Sequence, residues 1–297
     1  MTTIIVGAGM AGLLAGCMIR DHHIIESQPS LPNNHHAVLR FRSSVVGDVV
    51  GIPFKKVRMM KCVQSWQNPV ADQLSYSYKT NGTAQLRSAI SATGELADRF
   101  IAPSDFIQRM AEMCTIQLGS DFDPNLSPGS PIISTMPMPA LMVALGWKNI
   151  PEFKTHKGFI LQRSLKDVDA YCTVYDPDPS SAITRVSITG DKLIAELAWP
   201  QETGKVLARA MDLLGLPDRL VTASNEGWRE QKYAKILPIS DDVRKNFIMW
   251  ATEKFDIYSL GRFATWRPGL LMDDIVNDVR VIQRLINGGS SYHHKKG

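Results

Sequence analysis

The first residues along the chain whose types and spacing could do chemistry are glycines followed by one acid. Gly7-Ala8-Gly9-Met10-Ala11-Gly12 has the form G-x-G-x-x-G and follows directly on Thr3 to Val6, a β-branched apolar run suited to a buried parallel strand. Met10 to Arg20 then reads as a short helix, and His22 to Glu26 as a second strand ending in a carboxylate. The chemistry implied is the grip of a pyrophosphate. Gly7 permits a tight turn, Gly9 lets the backbone approach the phosphates, and Gly12 lets helix and strand pack closely. The first amides of the helix have no intrahelical acceptor and carry the positive end of its dipole. Glu26 stands nineteen residues after Gly7, where a carboxylate accepts hydrogen bonds from an adenosine ribose. Its charge disfavours a 2′-phosphate and hence NADP, while these residues alone leave FAD and NAD open.

Competing chemistries find less support. No Ser-His-Asp or paired-carboxylate pattern stands out. His35 and His36 are adjacent, point to opposite faces of an extended segment, and are assigned no metal. Cys17, Cys62, Cys114 and Cys172 form no C-x-x-C pair, which fits a reduced cytoplasmic setting, the host's if the chain is viral. Lys55, Lys56, Arg58 and Lys61 form a basic cluster that is either a solvated face or an anion-binding rim for a substrate's phosphates. The net charge of +4 permits a phosphate-bearing ligand or a nucleic acid without demanding one. With 44% hydrophobic and 21% charged residues, the composition is that of a globular protein, and no apolar run is long enough to cross a bilayer.

The elements that must position these residues follow from periodicity. Val38 to Arg42 alternates like a half-buried strand, and Val45 to Ile52 continues it with glycine breaks. The stretch from Asn81 to Gly119 has a helical pattern, clearest in Thr83 to Ile90 and Ser104 to Cys114, with Ser104 and Asp105 at the cap. Pro131 to Thr135 reads as a buried strand leading into a helix over Ala140 to Leu145. Phe159 to Arg163, Ala170 to Tyr175, Ala182 to Thr189 and Lys192 to Leu197 alternate as strands, the last two joined at Gly190-Asp191. Gly204 to Leu214 is a helix, Gly227 to Leu237 is strand-like, and the polar tail 288–297 is expected to be disordered. The expected fold is α/β with α+β character in a second lobe. A Rossmann-type cofactor domain (1–34, about 127–150 and 228–290) would interleave with a mostly antiparallel substrate lobe (about 35–126 and 151–227).

Leu260 to Ile275 resembles the C-terminal flavin-binding signature of UDP-galactopyranose mutases and, more loosely, of protoporphyrinogen oxidases and amine oxidases. Gly261, Arg262, Trp266, Met272 and Asp273 carry the likeness, supported by Ile133 to Pro137 (I-S-T-x-P) and Tyr233 to Pro238 (Y-A-x-x-x-P). The resemblance implies FAD, with Gly261, Arg262, Leu271, Met272 and Asp273 on the flavin side. It places Tyr233, Trp266 and Arg262 nearest the ring, and aims a helix opening at Leu271 to Asp274 towards its pyrimidine edge. The activity it implies is hydride transfer to flavin N5 from a C–H next to an amine or hydroxyl of a small-molecule or nucleotide-linked substrate. One specific form is a phage-type enzyme acting on an amino-acid-modified thymine in DNA, similar in size and cofactor motif only. A sugar-nucleotide mutase with no net redox change, and a non-catalytic dinucleotide-binding protein, are the alternatives. Ser27 to Asn34 departs from the family in lacking its glycine pair, and no counterpart of the mutases' paired substrate arginines stands out.

Overall fold

Two sheets divide the chain. The computed structural model describes residues 2–31, 39–64, 68–84, 94–123, 129–224 and 227–293, with side chains to Gly288. In chain order the elements are β1 (Thr3–Val6), α1 (Met10–Met18), β2 (His22–Glu26), β3 (Arg40–Phe41), α2 (Val45–Val50), β4 (Lys55–Val63) and α3 (Pro69–Asn81). Then come β5 (Glu95–Ile101), α4 (Phe106–Glu112), β6 (Ile116–Leu118), β7 (Ile132–Ser134), α5 (Met138–Ala144), β8 (Thr155–Ser164) and β9 (Ala170–Tyr175). The chain ends with β10 (Ile183–Gly190), β11 (Lys192–Leu197), α6 (Thr203–Leu214), β12 (Arg229–Ile236), α7 (Asp241–Phe255), β13 (Ile257–Ser259) and α8 (Met272–His293).

The first sheet is parallel throughout, in the order β13-β7-β1-β2-β6. β1, β7 and β13 are largely apolar because both of their faces are covered. Ile5, Ile24 and Ile133 pack in one core with α1, α4 and α8, while Val6, Ile132 and Ile257 pack in another with α5 and α7. The winding direction reverses at β1, with β2 and β6 on one side and β7 and β13 on the other. The crevice beyond the carboxyl ends of β1 and β7 is therefore the switch point where such sheets bind ligands. This is the α/β, Rossmann-type arrangement expected from the sequence.

The second sheet has the order β12-β8-β11-β10-β9-β4-β5-β3 and is antiparallel except between β4 and β9. One face is apolar and covered by α6, whose Val206, Ala210, Met211 and Leu213 meet Val186, Ile188, Leu193 and Ala195. The other face carries Thr173 and Ser187, and Arg40 of β3 reaches both with its guanidinium. β3 and β10 are four strand spacings of about 4.8 Å apart along the sheet, beyond any side chain's reach if the sheet were flat. The sheet must curl, and the polar face is its concave side.

Several expectations are corrected. Val45 to Ile52 is not a continued strand: Ser44 and Gly51 bound the short helix α2, and Gly47 lies where a Cβ would come within 2.5 Å of the Ile52 carbonyl. Among the described residues between Asn81 and Gly119, the helical pattern holds for α4, which Asp105 caps without a side-chain bond. Pairing with β4 and β2 makes strands of β5 and β6, a tertiary override of weak local preference. Most of Thr83 to Ile90, together with His35 and His36, lies outside the described residues. The tail is helical as far as His293 rather than disordered from residue 288, and 294–297 lie outside the described residues. Sheet membership departs from the expected division at β6, which joins the parallel sheet, and at β12, which joins the curled one. Cys17 and Cys114, distant in sequence, meet as free thiols 3.9 Å apart.

A charged clamp holds the β9–β10 connection. Asp176 is fully buried and accepts from Arg209 Nε and Nη2 of α6 at 3.1 and 3.0 Å. From α3, Lys79 Nζ donates to the carbonyls of Asp176, Asp178 and Ile183. Removing the carboxylate leaves a guanidinium without its main partner, so Asp176→Ala should cost about 3–5 kcal/mol in denaturant unfolding, and a loss under about 1 would refute the clamp. Burial draws the Lys79 ammonium down to about 8. Between there and its ordinary value near 10.5 the unfolded chain holds more protons, so stability rises with pH across that window. The stability of the wild type relative to Lys79→Met should therefore grow from pH 7 to pH 10.

Candidate functional site

The glycine turn is fixed by what surrounds it. Gly7 has φ +97°, and a Cβ there would lie 2.4 Å from Thr135 Oγ1, whose hydroxyl donates to the Val6 carbonyl at 2.7 Å. At Gly12 a Cβ would stand 1.9 Å from the Gly7 carbonyl oxygen, so α1 can rest on the turn only with glycine there. Gly9, the residue before α1, is the opposite case: nothing lies within 4 Å of a Cβ built on it. That open side, beside the unbonded amides of the first helical turn, is a cradle for phosphate oxygens. Glu26 Oε2 accepts the Ala8 N–H at 2.7 Å, and Oε1 accepts the Gln28 N–H at 2.9 Å. Oε1 also accepts the Ser27 hydroxyl at 3.4 Å, which leaves Oε2 with a lone pair for a ribose hydroxyl. Gly7 to Gly12 and Glu26 thus converge as the sequence predicts, in a form that fits an adenosine diphosphate moiety.

The chain returns to this turn from its far end. Gly261 has φ +93°, and its missing Cβ would lie 2.9 Å from the Ala11 Cβ, so the segment after β13 crosses directly on the first turn of α1. Arg262 follows, partly buried, with Nη2 donating to the Ala234 carbonyl at 3.3 Å and its guanidinium 5.6 Å from the Phe263 ring centre. Its buried Nε has no partner, and burial lowers its pKa. Tyr233 stands beside the same Phe263 ring at 5.8 Å and is 40% exposed. An orphaned guanidinium nitrogen next to an open aromatic ring is what the wall of a polar ligand site provides.

Four expected site residues have other work. Trp266 is 2% exposed, donates its indole N–H to the Leu237 carbonyl at 2.8 Å and packs edge-on to Phe153, so it fastens the end of β12 and offers no face to a ligand. Asp273 accepts the Ser43 N–H at 2.8 Å and the Ser43 hydroxyl at 2.6 Å, which makes its carboxylate a latch between α8 and the start of α2. The Leu271 amide is taken by Asp274 Oδ2 at 2.9 Å, and Met272 packs into the core at the mouth of α8. The opening of α8 thus lies where expected, with these side chains shaping it.

The basic cluster does not converge. Lys55, Lys56, Arg58 and Lys61 all lie on β4, where alternate residues face opposite sides. Lys55 Nζ donates to the Tyr171 hydroxyl at 2.8 Å, Lys56 pairs with Asp98 at 2.8 Å, and Lys61 lies 3.8 Å from Glu95. That distribution favours the solvated-face reading over a single anion rim. Sequence reasoning missed Ser43 and Arg40: Ser43-Ser44 before an apolar run is a helix-cap signal, whereas nothing local marks Arg40. Among the described residues no group of His, Cys, Asp and Glu could hold a metal, and no helix is long and apolar enough to cross a membrane.

No protein-family model matches the chain, and no curated protein matches it. Solved structures do match its fold. A reduced UDP-galactopyranose mutase superposes with TM-score 0.69 at 13% identity, over 96% of this chain and 95% of that one. A geranylgeranyl bacteriochlorophyll reductase-like protein from Thermoplasma acidophilum gives 0.56 at 12%, over 98% and 79%. The p-nitrophenol 4-monooxygenase of Pseudomonas putida gives 0.54 at 10%, over 97% and 81%. At these identities the likeness is one of fold.

Glu26→Ala removes both the acceptor of the Ala8 amide and the expected ribose contact. Retention of added FAD through gel filtration should fall at least about tenfold, and retention equal to the wild type would remove Glu26 from the site.

Proposed function

We propose that the chain binds FAD in this crevice and works as a flavin-dependent oxidoreductase, taking a hydride from a C–H next to an amine or hydroxyl of its substrate. The observation that carries this reading is the convergence of two distant segments on α1: the glycine turn with Glu26 in the first segment, and in the second Gly261 followed by Arg262, whose buried Nε is without a partner among the described residues. FAD is favoured over NAD because the second segment closes over the first, as suits a cofactor that stays bound. FAD supplies the hydride acceptor when bound. The chain's residues grip and tune: first-turn amides of α1 take the phosphates, Glu26 the ribose, and Arg262 with the mouth of α8 favours negative charge developing nearby. Tyr233 supplies an aromatic wall for the substrate. An amino-acid-modified thymine in DNA remains a proposal within this class, tested by salt-sensitive DNA binding.

The fold likeness to a mutase favours a second reading, rearrangement of a nucleotide-linked sugar with no net redox change. The purified protein should show a flavin absorption spectrum, and a suitable amine or alcohol added without oxygen should bleach it. Turnover that requires prior reduction of the flavin and consumes no oxidant would establish the mutase reading instead. A colourless protein that refuses added FAD would sink both.

A further inference from the structure

The concave face of the curled sheet is polar where a core would be apolar. On β9 and β10 the register sets Tyr171 opposite Thr189, Thr173 opposite Ser187 and Tyr175 opposite Arg185. The Thr173 and Ser187 hydroxyls are buried and bonded to each other at 2.9 Å. Thr189, two positions along the same strand face, is 6% exposed, and its hydroxyl has no partner. Over this row comes Arg40, with Nη1 donating to Thr173 Oγ1 at 3.2 Å and touching Met59 Sδ at 3.4 Å, and Nη2 donating to Ser187 Oγ at 3.4 Å. The nearby charges do not balance it. Arg185 is matched by Glu196 at 2.7 Å, and Arg99, facing the same side from β5, adds a like charge. Among the described residues, no carboxylate comes within 4.0 Å of the Arg40 guanidinium. A largely buried guanidinium without a counter-ion costs stability, and groups of that kind cluster at functional sites.

Among the described residues, the neighbours leave two of Arg40's donors open, the Nε–H and one hydrogen of Nη2. Together these form one edge of the guanidinium fork, the geometry that a carboxylate meets with two parallel hydrogen bonds. A phosphate monoester near neutral pH carries close to two negative charges and would want a second free cation, but Arg185 is engaged by Glu196 and Lys61 faces Glu95. Arg40 also lies close to the cofactor crevice, since three residues on Ser43 is latched to Asp273 at the mouth of α8, a span of at most about 11 Å.

We propose that Arg40, backed by the hydroxyls of Thr173, Ser187 and Thr189, anchors a carboxylate group of the substrate on the concave sheet, facing the crevice. This identifies the substrate class as carboxylate-bearing and rests on the flavin reading for the chemistry, though not for the binding. The test titrates the full chain, saturated with FAD, with benzoate and separately with inorganic phosphate at constant ionic strength, following arginine Nε–H resonances by NMR. One resonance, absent from Arg40→Gln, should shift saturably with benzoate. Benzoate affinity should fall at least about tenfold in Arg40→Gln, less in Arg40→Lys, and about threefold in Thr189→Val. Unchanged affinity in Arg40→Gln, or saturation by phosphate and not benzoate, overturns the proposal. If Arg40→Gln does not fold, Thr189→Val and Ser187→Ala decide by the same criterion. A chain that takes no flavin yet binds benzoate through Arg40 overturns the flavin reading and upholds this one; a flavin-loaded chain whose benzoate binding ignores all four variants does the reverse.

Discussion

Helix α1 lies on the end of β1 with no side chain between them, and the rest of the site depends on that contact. A Cβ on residue 12 would come within 1.9 Å of the Gly7 carbonyl oxygen, so the helix would have to lift away from the strand. Its seat turns the Ala8 amide onto Glu26 and leaves the first-turn amides facing open space beside Gly9. The same seat provides the surface on which Gly261 lands, against Ala11. Two ends of the chain more than two hundred residues apart are thereby held against one helical turn.

The charged side chains sort by their partners. Arg185 and Arg209 each meet a carboxylate, and their pairs tie strands and helices of the curled sheet together. Among the described residues, Arg40 and Arg262 meet hydroxyls, a thioether, a carbonyl and an aromatic ring rather than a carboxylate, and keep donors unused. Carboxylates divide in the same way. Asp273 is closed by Ser43, while Glu26 is held by two backbone amides and the Ser27 hydroxyl, with a lone pair left on Oε2. Full satisfaction marks the groups that hold the fold, and partial satisfaction marks those on which a ligand would draw.

Local periodicity carried much of the fold. β1, α1 and β2, the β10–β11 hairpin, β7, α5 and α6 have boundaries close to those legible in the residues, because each has one apolar period and a clear stop. α2 was misread because glycine breaks in a valine-rich run suit a strand as well as a short capped helix. β5 and β6 became strands through their neighbours rather than their own pattern.

The sequence by itself determined the N-terminal strand-turn-helix-strand unit, since a strand, three spaced glycines, a helix and an acid interact within twenty-six residues and need no distant partner to be recognised. Only the tertiary structure decided which other residues share that site. Trp266 left it for the core, Asp273 became a latch, and the four β4 cations dispersed over two faces. Arg40 lies over the concave face because the sheet curls far enough for β3 to reach β10. Curvature and strand order arise from packing across the whole chain, and no window of neighbouring residues contains them.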